Sequence, residues 1–205
     1  MDLARRSLYL CTPDRPDLDA FVAASIEGGV DIVQLRDKEL DARGILRAGA
    51  RVAAVCRDAH VPFILNDRPD LALALGADGV HVGQDDAPVA LCRTILGPEA
   101  IIGLSTHAPA ELDVAITEAA SYLSAGPVEA TPTKPGREGT GVDYARLALA
   151  TSPVPVFVTG GVTVETIPAL GAAGVRHFVV VRALTEAADP AAAAAQLRHA
   201  IDQLD

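Results

Sequence analysis

Two acidic motifs follow apolar stretches of this 205-residue chain. Asn66-Asp67 follows the first stretch and Gln84-Asp85-Asp86 follows the second. If the stretches are neighbouring parallel strands, their carboxylates meet at one edge. Mg²⁺ prefers such hard oxygen ligands, with water and a substrate phosphate completing its shell. Asp67 and Asp86 are therefore candidate magnesium ligands in a phosphate or diphosphate site. The alternative is that both are turn residues or helix N-caps, where Asp is common.

Cationic side chains follow another apolar stretch, at residues 32–35. Alternation along a strand puts Gln34, Arg36 and Lys38 on one side. Arg offers phosphate oxygens a planar fork, and Lys offers a mobile point charge. These residues predict a diphosphate contact. The alternative is a solvated loop with a surface pair between Arg36 and Asp37.

Polar residues and glycines also follow the later stretches. A glycine pair lets backbone N–H groups approach a phosphate. Two hydroxyls and a lysine in a Pro/Gly-rich loop are suited to clamping an anion, and residues 136–141 are suited to a lid, although many such loops bind nothing. The further candidate site residues are Asn66, Ser105, Thr131, Thr133, Lys134, Gly161, Val181 and Arg182.

The elements that must position these residues are eight apolar runs separated by helix-like segments. Continuous Val/Ile/Leu runs indicate strands buried on both faces, as in a parallel sheet. The count and even spacing favour an α/β fold, a single-domain (β/α)8 TIM barrel over residues 1–205, rather than an open doubly wound sheet. In such a barrel the chemistry lies at the C-terminal ends of the strands. The eight runs are residues 8–11, 32–35, 62–65, 79–82, 101–104, 122–125, 154–158 and 177–181. The Ala-rich composition of residues 190–204 predicts a final helix.

Composition narrows the classes of partner. Half of the residues are apolar, and the net charge is −10, which argues against nucleic acid or an anionic membrane as partner. The three cysteines have no metal-ligand spacing and suit a reducing cytoplasm. No apolar run is long enough to span a bilayer. The expected partners are small-molecule substrates, and a homo-oligomer is compatible with the sequence.

The sequence indicates no catalytic role for three reactive side chains. His81 lies inside a strand and is interpreted as a core histidine. His107 follows Ser105, but nothing indicates a nucleophile–base pair. Cys11 is interpreted as a buried thiol.

Taken together and in order, the motifs resemble the thiamine-phosphate synthase (thiamine-phosphate pyrophosphorylase) family over nearly the whole chain. The resemblance rests on the combination and on no single motif. The matching pieces are residues 34–38 (QLRDK), 66–68 (NDR), 76–86 (GADGVHVGQDD), 103–107 (GLSTH), 126–127 with 131–136 (GP, TPTKPG) and 160–162 (GGV).

The resemblance implies a barrel that couples 4-amino-5-hydroxymethyl-2-methylpyrimidine diphosphate to a thiazole phosphate, or its carboxy form. The products are thiamine phosphate and diphosphate. It implies Mg²⁺ on Asp67 and Asp86. The pyrimidine diphosphate contacts would be Gln34, Arg36, Lys38, Asn66, Ser105 and Lys134, of which Arg36, Lys38, Ser105 and Lys134 would be catalytic. The thiazole phosphate contacts would be Thr131, Thr133, Gly161, Val181 and Arg182.

Two other functions stay open at this point. A thiazole tautomerase of the same family would not need the acidic pair, and it is expected to carry a His where this chain has Gly126-Pro127. A non-catalytic phosphate-binding barrel is the other alternative. The chain also departs from the family pattern at Arg182, where Ser is frequent, and in residues 128–130 (VEA), where an aromatic residue is frequent.

Overall fold

A computed structural model describes residues 2–130 and 138–204 of the chain. Eight parallel strands close into a barrel in chain order, and β1 pairs with β8. The predicted TIM barrel is therefore confirmed. The strands are β1 (Leu8–Thr12), β2 (Ile32–Leu35), β3 (Phe63–Asn66), β4 (Gly79–Val82), β5 (Ile101–Thr106), β6 (Tyr122–Ala125), β7 (Val156–Thr159) and β8 (Phe178–Val180).

Helices follow the strands and surround the barrel, and a short 3₁₀ helix (Leu3–Arg5) precedes β1. The final helix begins at Pro190, as the sequence predicts, because proline suits the first helical position and the Asp189 carboxylate accepts the N–H of Ala192 at 3.0 Å. The helices are α1 (Leu18–Glu27), α2 (Ala42–Asp58), α3 (Pro69–Leu75), α4 (Val89–Leu96), α5 (Pro109–Ala115), α6 (Gly141–Thr151), α7 (Ile167–Ala172), α8 (Arg182–Thr185) and α9 (Pro190–Asp202).

Side chains alternate along each strand between two separate cores. One core lies between the strands and the helices and holds most of the Val and Leu residues of the runs. The other fills the barrel interior. Because both faces of every strand are covered, the strands are apolar throughout, as expected of a buried parallel sheet. The interior core consists of Leu3, Tyr9, Ile32, Ile64, Ile101, Tyr122 and Phe157, with Val179 packed against it.

Three strands extend one or two residues beyond the predicted runs, and the extensions are polar. β1 continues to Thr12, β3 to Asn66 and β5 to Thr106. The strand ladder therefore holds Asn66 opposite His81 and Ser105 opposite Ser124. Side chains held by a sheet are placed more rigidly than side chains on loops.

Within residues 2–130 and 138–204, no helix has the length and apolar character needed to cross a bilayer.

Candidate active site

A cavity of about 660 Å³ opens at the C-terminal ends of the strands. Its size lies in the range typical of small-molecule sites. The barrel interior below it is filled by side chains, so the cavity is a cup and not a channel. The predicted site residues that line it are Gln34, Arg36, Lys38, Asn66, Asp67, Asp86, Ser105, Gly161, Val181 and Arg182. Thr131, Thr133 and Lys134, and part of the predicted lid at 136–141, lie outside the described residues.

The two acidic residues converge at this mouth. The Asp86 carboxyl is close enough to Asp67 to hydrogen-bond with it when one of the two is protonated. They reach this position from the ends of neighbouring strands, β3 and β4. Asp67 and Asp86 therefore lie together, as the sequence predicts.

Neither acidic residue caps a helix. Arg68 is the N-cap of α3 and Pro88 is the N-cap of α4. The turn alternative is partly correct for Asp86, because its Oδ2 accepts the N–H of Gly83 at 2.8 Å. That bond fixes the loop and leaves the rest of the carboxylate facing the cavity.

The backbone at Asp67 is strained. Its φ is +61°, a conformation that is uncommon for residues other than glycine and tolerated best by Asn and Asp. The N–H of Asp67 donates to the carbonyl of His81 at 2.8 Å, which ties this turn to β4. Strain of this kind is concentrated at functional sites, where the surrounding structure holds it in place.

Lys38 lies directly beside the acidic pair. Its Nζ is 3.1 Å from Oδ2 of Asp67, although the lysine side chain is about half exposed (54%). The alternative for this loop, a surface pair between Arg36 and Asp37, does not occur among the described residues; the Asp37 carboxylate instead accepts the backbone N–H of Asp14 at 3.2 Å and of Glu39 at 3.0 Å. Asp37 thus braces the β2 loop that carries both cations.

Burial, followed by the facing Asp86 carboxyl, raises the pKa of Asp67 above its ordinary value, and Lys38 opposes the rise. Two carboxylates held together repel each other when both are ionised. A divalent cation relieves that repulsion. Among the described residues no group of three or more His, Cys, Asp and Glu could hold a metal, so a cation here would take two carboxylates with water and substrate oxygens, as Mg²⁺ commonly does.

The floor of the cavity is a continuous set of buried and partly buried hydrogen bonds. Ser105 Oγ lies 2.8 Å from Nε2 of His81, whose Nδ1 lies 2.9 Å from the Tyr122 hydroxyl. The Tyr122 and Tyr9 hydroxyls are 2.9 Å apart. Gln34 then donates from Nε2 to the Tyr9 hydroxyl at 3.1 Å. Two predicted substrate contacts, Gln34 and Ser105, are therefore the two ends of one network.

Gly103 makes room for this network. A Cβ at that position would lie 2.2 Å from Cζ of Tyr122 and 2.4 Å from Nδ1 of His81. Only glycine allows the histidine and tyrosine rings to stack across β5, with their centroids 5.5 Å apart.

The expectation for His81 as a core histidine is wrong. Its side chain is half-buried, lines the cavity and contacts Ser105. The sequence analysis gives no role to Tyr9 or Tyr122. In the sequence, a tyrosine within an apolar run looks like any other core residue, because the position of its hydroxyl depends on the strand register. A sign of the network in the sequence is that two apolar strands contain Tyr and a third contains His.

The other two discounted residues also lie at the cavity. Cys11 is buried, as predicted, and its Sγ donates to Oε1 of Gln34 at 2.9 Å. His107 Nδ1 lies 2.9 Å from the Glu111 carboxylate, which also accepts the His107 backbone N–H at 2.7 Å. Glu111 thus fixes the orientation of the His107 ring.

Across the mouth from the acidic pair, two glycines of positive φ follow the end of β7. Gly160 has φ of +94° and Gly161 of +75°. Successive backbone N–H groups in such turns form concave anion sites. Val181 and Arg182 line the same side of the cavity at the start of α8. Glu129 is close to this turn, because a Cβ on Gly161 would lie 2.5 Å from its Oε2.

Comparisons with known proteins agree with this geometry. A family model described as thiamine monophosphate synthase matches residues 8–184. Thiamine-phosphate synthase of Thermobifida fusca is 50% identical over 94% of this chain and 90% of its own length. That of Mycolicibacterium smegmatis is 47% identical over 97% of this chain and 93% of its own length.

Some relatives are longer. The chain spans 59% of the Synechocystis thiamine-phosphate synthase, to which it is 42% identical over 99% of its own length. Among solved structures, thiamine phosphate pyrophosphorylase from Pyrococcus furiosus superposes with a TM-score of 0.87 at 30% identity, covering 97% of this chain and 96% of that one. These similarities confirm the predicted family and the predicted class of enzyme, a transferase of thiamine biosynthesis. The chain belongs to the thiamine monophosphate synthase family.

Proposed function

We propose that the protein is a Mg²⁺-dependent thiamine-phosphate synthase that joins the pyrimidine diphosphate to the thiazole phosphate. The observation that carries the proposal is the meeting of Asp67 and Asp86 beside Lys38, above a floor of buried polar groups. The cavity therefore has a charged rim and a floor of hydrogen-bonding groups. A diphosphate ester of a heterocycle would use the rim to bind its diphosphate and the floor to bind its ring.

In the reaction, the bond from the pyrimidine methylene carbon to the diphosphate oxygen breaks, and diphosphate leaves with the electron pair. The thiazole nitrogen then donates its lone pair to that carbon, which forms the new C–N bond. No proton has to be removed for the bond to form. The site accordingly needs charge neutralisation and alignment more than a general base.

Asp67 and Asp86 would hold the metal ion, since both present carboxylate oxygens at one point of the rim. When bound, Mg²⁺ would neutralise the charge that develops on the leaving diphosphate. Lys38 and Arg36 would bind the same oxygens from the β2 loop, and Asn66 would add an amide from the end of β3. Lys134 is assigned to this group by family resemblance.

Gln34 and Ser105 would bind the pyrimidine ring at the floor, where both side chains are buried. A buried hydrogen bond discriminates strongly, because a ring without the matching group leaves these residues unsatisfied. On the opposite side, the Gly160–Gly161 turn, Val181 and Arg182 would bind the thiazole phosphate, with Thr131 and Thr133 assigned by resemblance. In this arrangement the thiazole nitrogen would lie opposite the leaving diphosphate.

We propose a reducing, cytoplasmic setting and small molecules as the only ligands of the cavity. All three cysteines lie within the described residues, are buried and form no disulfide, which supports the first part. The acidic net charge of −10 supports the second, because it disfavours nucleic acid and anionic membranes.

The direct test is release of diphosphate by the purified protein. With Mg²⁺ and both substrates, we expect diphosphate and thiamine phosphate in equal amounts. Without the thiazole phosphate, we expect no sustained release. Isomerisation of a thiazole phosphate without any coupling would support the tautomerase instead, and binding without turnover would support a non-catalytic barrel.

A further inference from the structure

The network below the cavity contains more polar groups than substrate binding requires. Tyr9 and Tyr122 are fully buried in the barrel interior, where an apolar side chain would pack without the cost of desolvating a hydroxyl. Each hydroxyl has two partners in the network. The two phenols therefore connect Gln34 to His81, and through His81 to Ser105.

The chemistry of the Gln34 amide sets the direction of the hydrogen bonds that connect Gln34 to Ser105. The Cys11 thiol donates to Oε1 of Gln34, and sulfur is a poor acceptor, so the amide oxygen faces the thiol and the amide nitrogen faces Tyr9. Tyr9 thus accepts from Gln34. Its own proton then goes to Tyr122, the other partner of its hydroxyl.

The remaining protons follow. Tyr122 accepts from Tyr9 and so donates to Nδ1 of His81. A ring nitrogen that accepts carries no proton, so His81 is neutral and bears its proton on Nε2. That proton is donated to Oγ of Ser105. The Ser105 hydroxyl proton is then left to point into the cavity.

The reverse direction leaves a buried group unsatisfied. If Nδ1 of His81 carried a proton, Tyr122 would have to donate to Tyr9, and Tyr9 would then accept twice with its own proton unpaired. A buried unpaired donor is strongly disfavoured. Burial raises the pKa of both phenols, so neither is expected to ionise and change this pattern.

We propose that Tyr9, Tyr122 and His81 are positioning residues that fix Ser105 as a hydrogen-bond donor toward the substrate ring. The residues act through Ser105 and do not touch the reacting atoms. The ligand group opposite Ser105 must then be an acceptor, such as an unprotonated ring nitrogen. This inference deepens the proposed function, and its kinetic part rests on that function.

The first experiment needs no substrate. The ¹⁵N spectrum of protein labelled at histidine should show His81 with Nε2 protonated and Nδ1 unprotonated, and this pattern should be lost in Tyr122→Phe. A His81 that carries its proton on Nδ1, or on both nitrogens, overturns the proposal. Because this readout is independent of turnover, it stands even if the proposed function fails.

The second experiment measures kcat/KM for the pyrimidine diphosphate. Tyr122→Phe keeps the ring but removes the hydroxyl, and we expect a loss of about tenfold, with a similar loss in His81→Leu. His81→Gln retains a donor to Ser105, and we expect it to stay within about threefold of wild type. The KM for the thiazole phosphate should be unchanged in all three variants.

A double-mutant cycle separates positioning from simple damage. In a Ser105→Ala background, Tyr122→Phe should cost no more than about twofold further. Equal losses from Tyr122→Phe with and without Ser105 overturn the proposal. If Tyr122→Phe does not fold, the same cycle run with His81→Gln and His81→Leu gives the answer.

Discussion

Lys38 and Asp67 meet across the rim of the barrel, with Nζ 3.1 Å from Oδ2. The lysine comes from the loop after β2 and the aspartate from the turn after β3, so the contact joins two strand ends. It places a cation beside the acidic pair that would hold the metal. The rim therefore has both signs of charge that a metal–diphosphate complex requires.

Loss of either carboxylate should disable catalysis without unfolding the protein. We expect Asp67→Asn and Asp86→Asn each to lower turnover by about a hundredfold or more, as is typical when one preorganised electrostatic contact is lost. Asn tolerates the positive φ at position 67, and at position 86 its amide oxygen can still accept from Gly83. Steady-state diphosphate release at saturating Mg²⁺ is the measurement.

The matched control is Asp58→Asn. Asp58 is exposed at the C-terminal end of α2, at the opposite face of the barrel. It should leave turnover within about twofold, as is usual for surface substitutions away from special features. Near-normal turnover in both rim variants would mean that the Asp67 and Asp86 carboxylates are not needed for catalysis.

Removal of the metal should stop the reaction but leave the fold intact. No metal is needed to complete either apolar core, so chelation should leave the thermal midpoint nearly unchanged while diphosphate release falls at least about a hundredfold. Mg²⁺ and diphosphate added together should raise the midpoint, because a ligand that binds only the folded state stabilises it. Differential scanning fluorimetry run in parallel with the assay checks both. Full activity after exhaustive chelation would contradict the magnesium assignment.

A side chain at Gly161 should weaken the thiazole side selectively. Ala there would be strained at φ of +75° and would press on Glu129, so the backbone N–H groups of the turn would shift. We expect the KM for the thiazole phosphate to rise about tenfold, with the KM for the pyrimidine diphosphate unchanged.

Gly97→Ala is the control for strain alone. Gly97 has φ of +91° and nothing within 4 Å of an added Cβ, and it lies after α4, away from the cavity. It should lower stability without changing either KM. Equal effects of the two substitutions on the thiazole KM would mean that the Gly160–Gly161 turn has no special role.

Gly103→Ala should destabilise the fold. The added methyl group meets the rings of Tyr122 and His81 inside a filled barrel, and overpacking of this kind costs about 1–3 kcal/mol. Urea unfolding followed by circular dichroism measures it. A stability equal to wild type would mean that the interior has more room than the geometry shows.

The architecture was predictable because its signals are local. Each strand is a continuous apolar run, and eight of them alternate with helix-like segments, which leaves few alternatives to a barrel. Positions such as Asp67 and Asp86 could be placed at one edge for the same reason, since every parallel strand ends at the same face.

The floor of the cavity was not predictable in this way. Tyr9 and Tyr122 lie in runs that look like plain core, and they approach each other only because β1 and β6 face each other across the closed barrel. The prediction of His81 as a core histidine is wrong for a similar reason. Its hydrogen-bond partners, Ser105 and Tyr122, lie on other strands, β5 and β6. Contacts across a barrel depend on strand register and on Gly103, and neither is visible in a local pattern.

A crystal structure with Mn²⁺ in place of Mg²⁺, and with diphosphate bound, would locate the metal site itself. Both are hard cations that take oxygen ligands, and Mn²⁺ can be located by its anomalous signal. We predict one Mn²⁺ coordinated directly by carboxylate oxygens of both Asp67 and Asp86, with diphosphate against Lys38 and Arg36. A Mn²⁺ site elsewhere, or diphosphate bound away from this rim, would mean that Asp67 and Asp86 do not hold the catalytic metal.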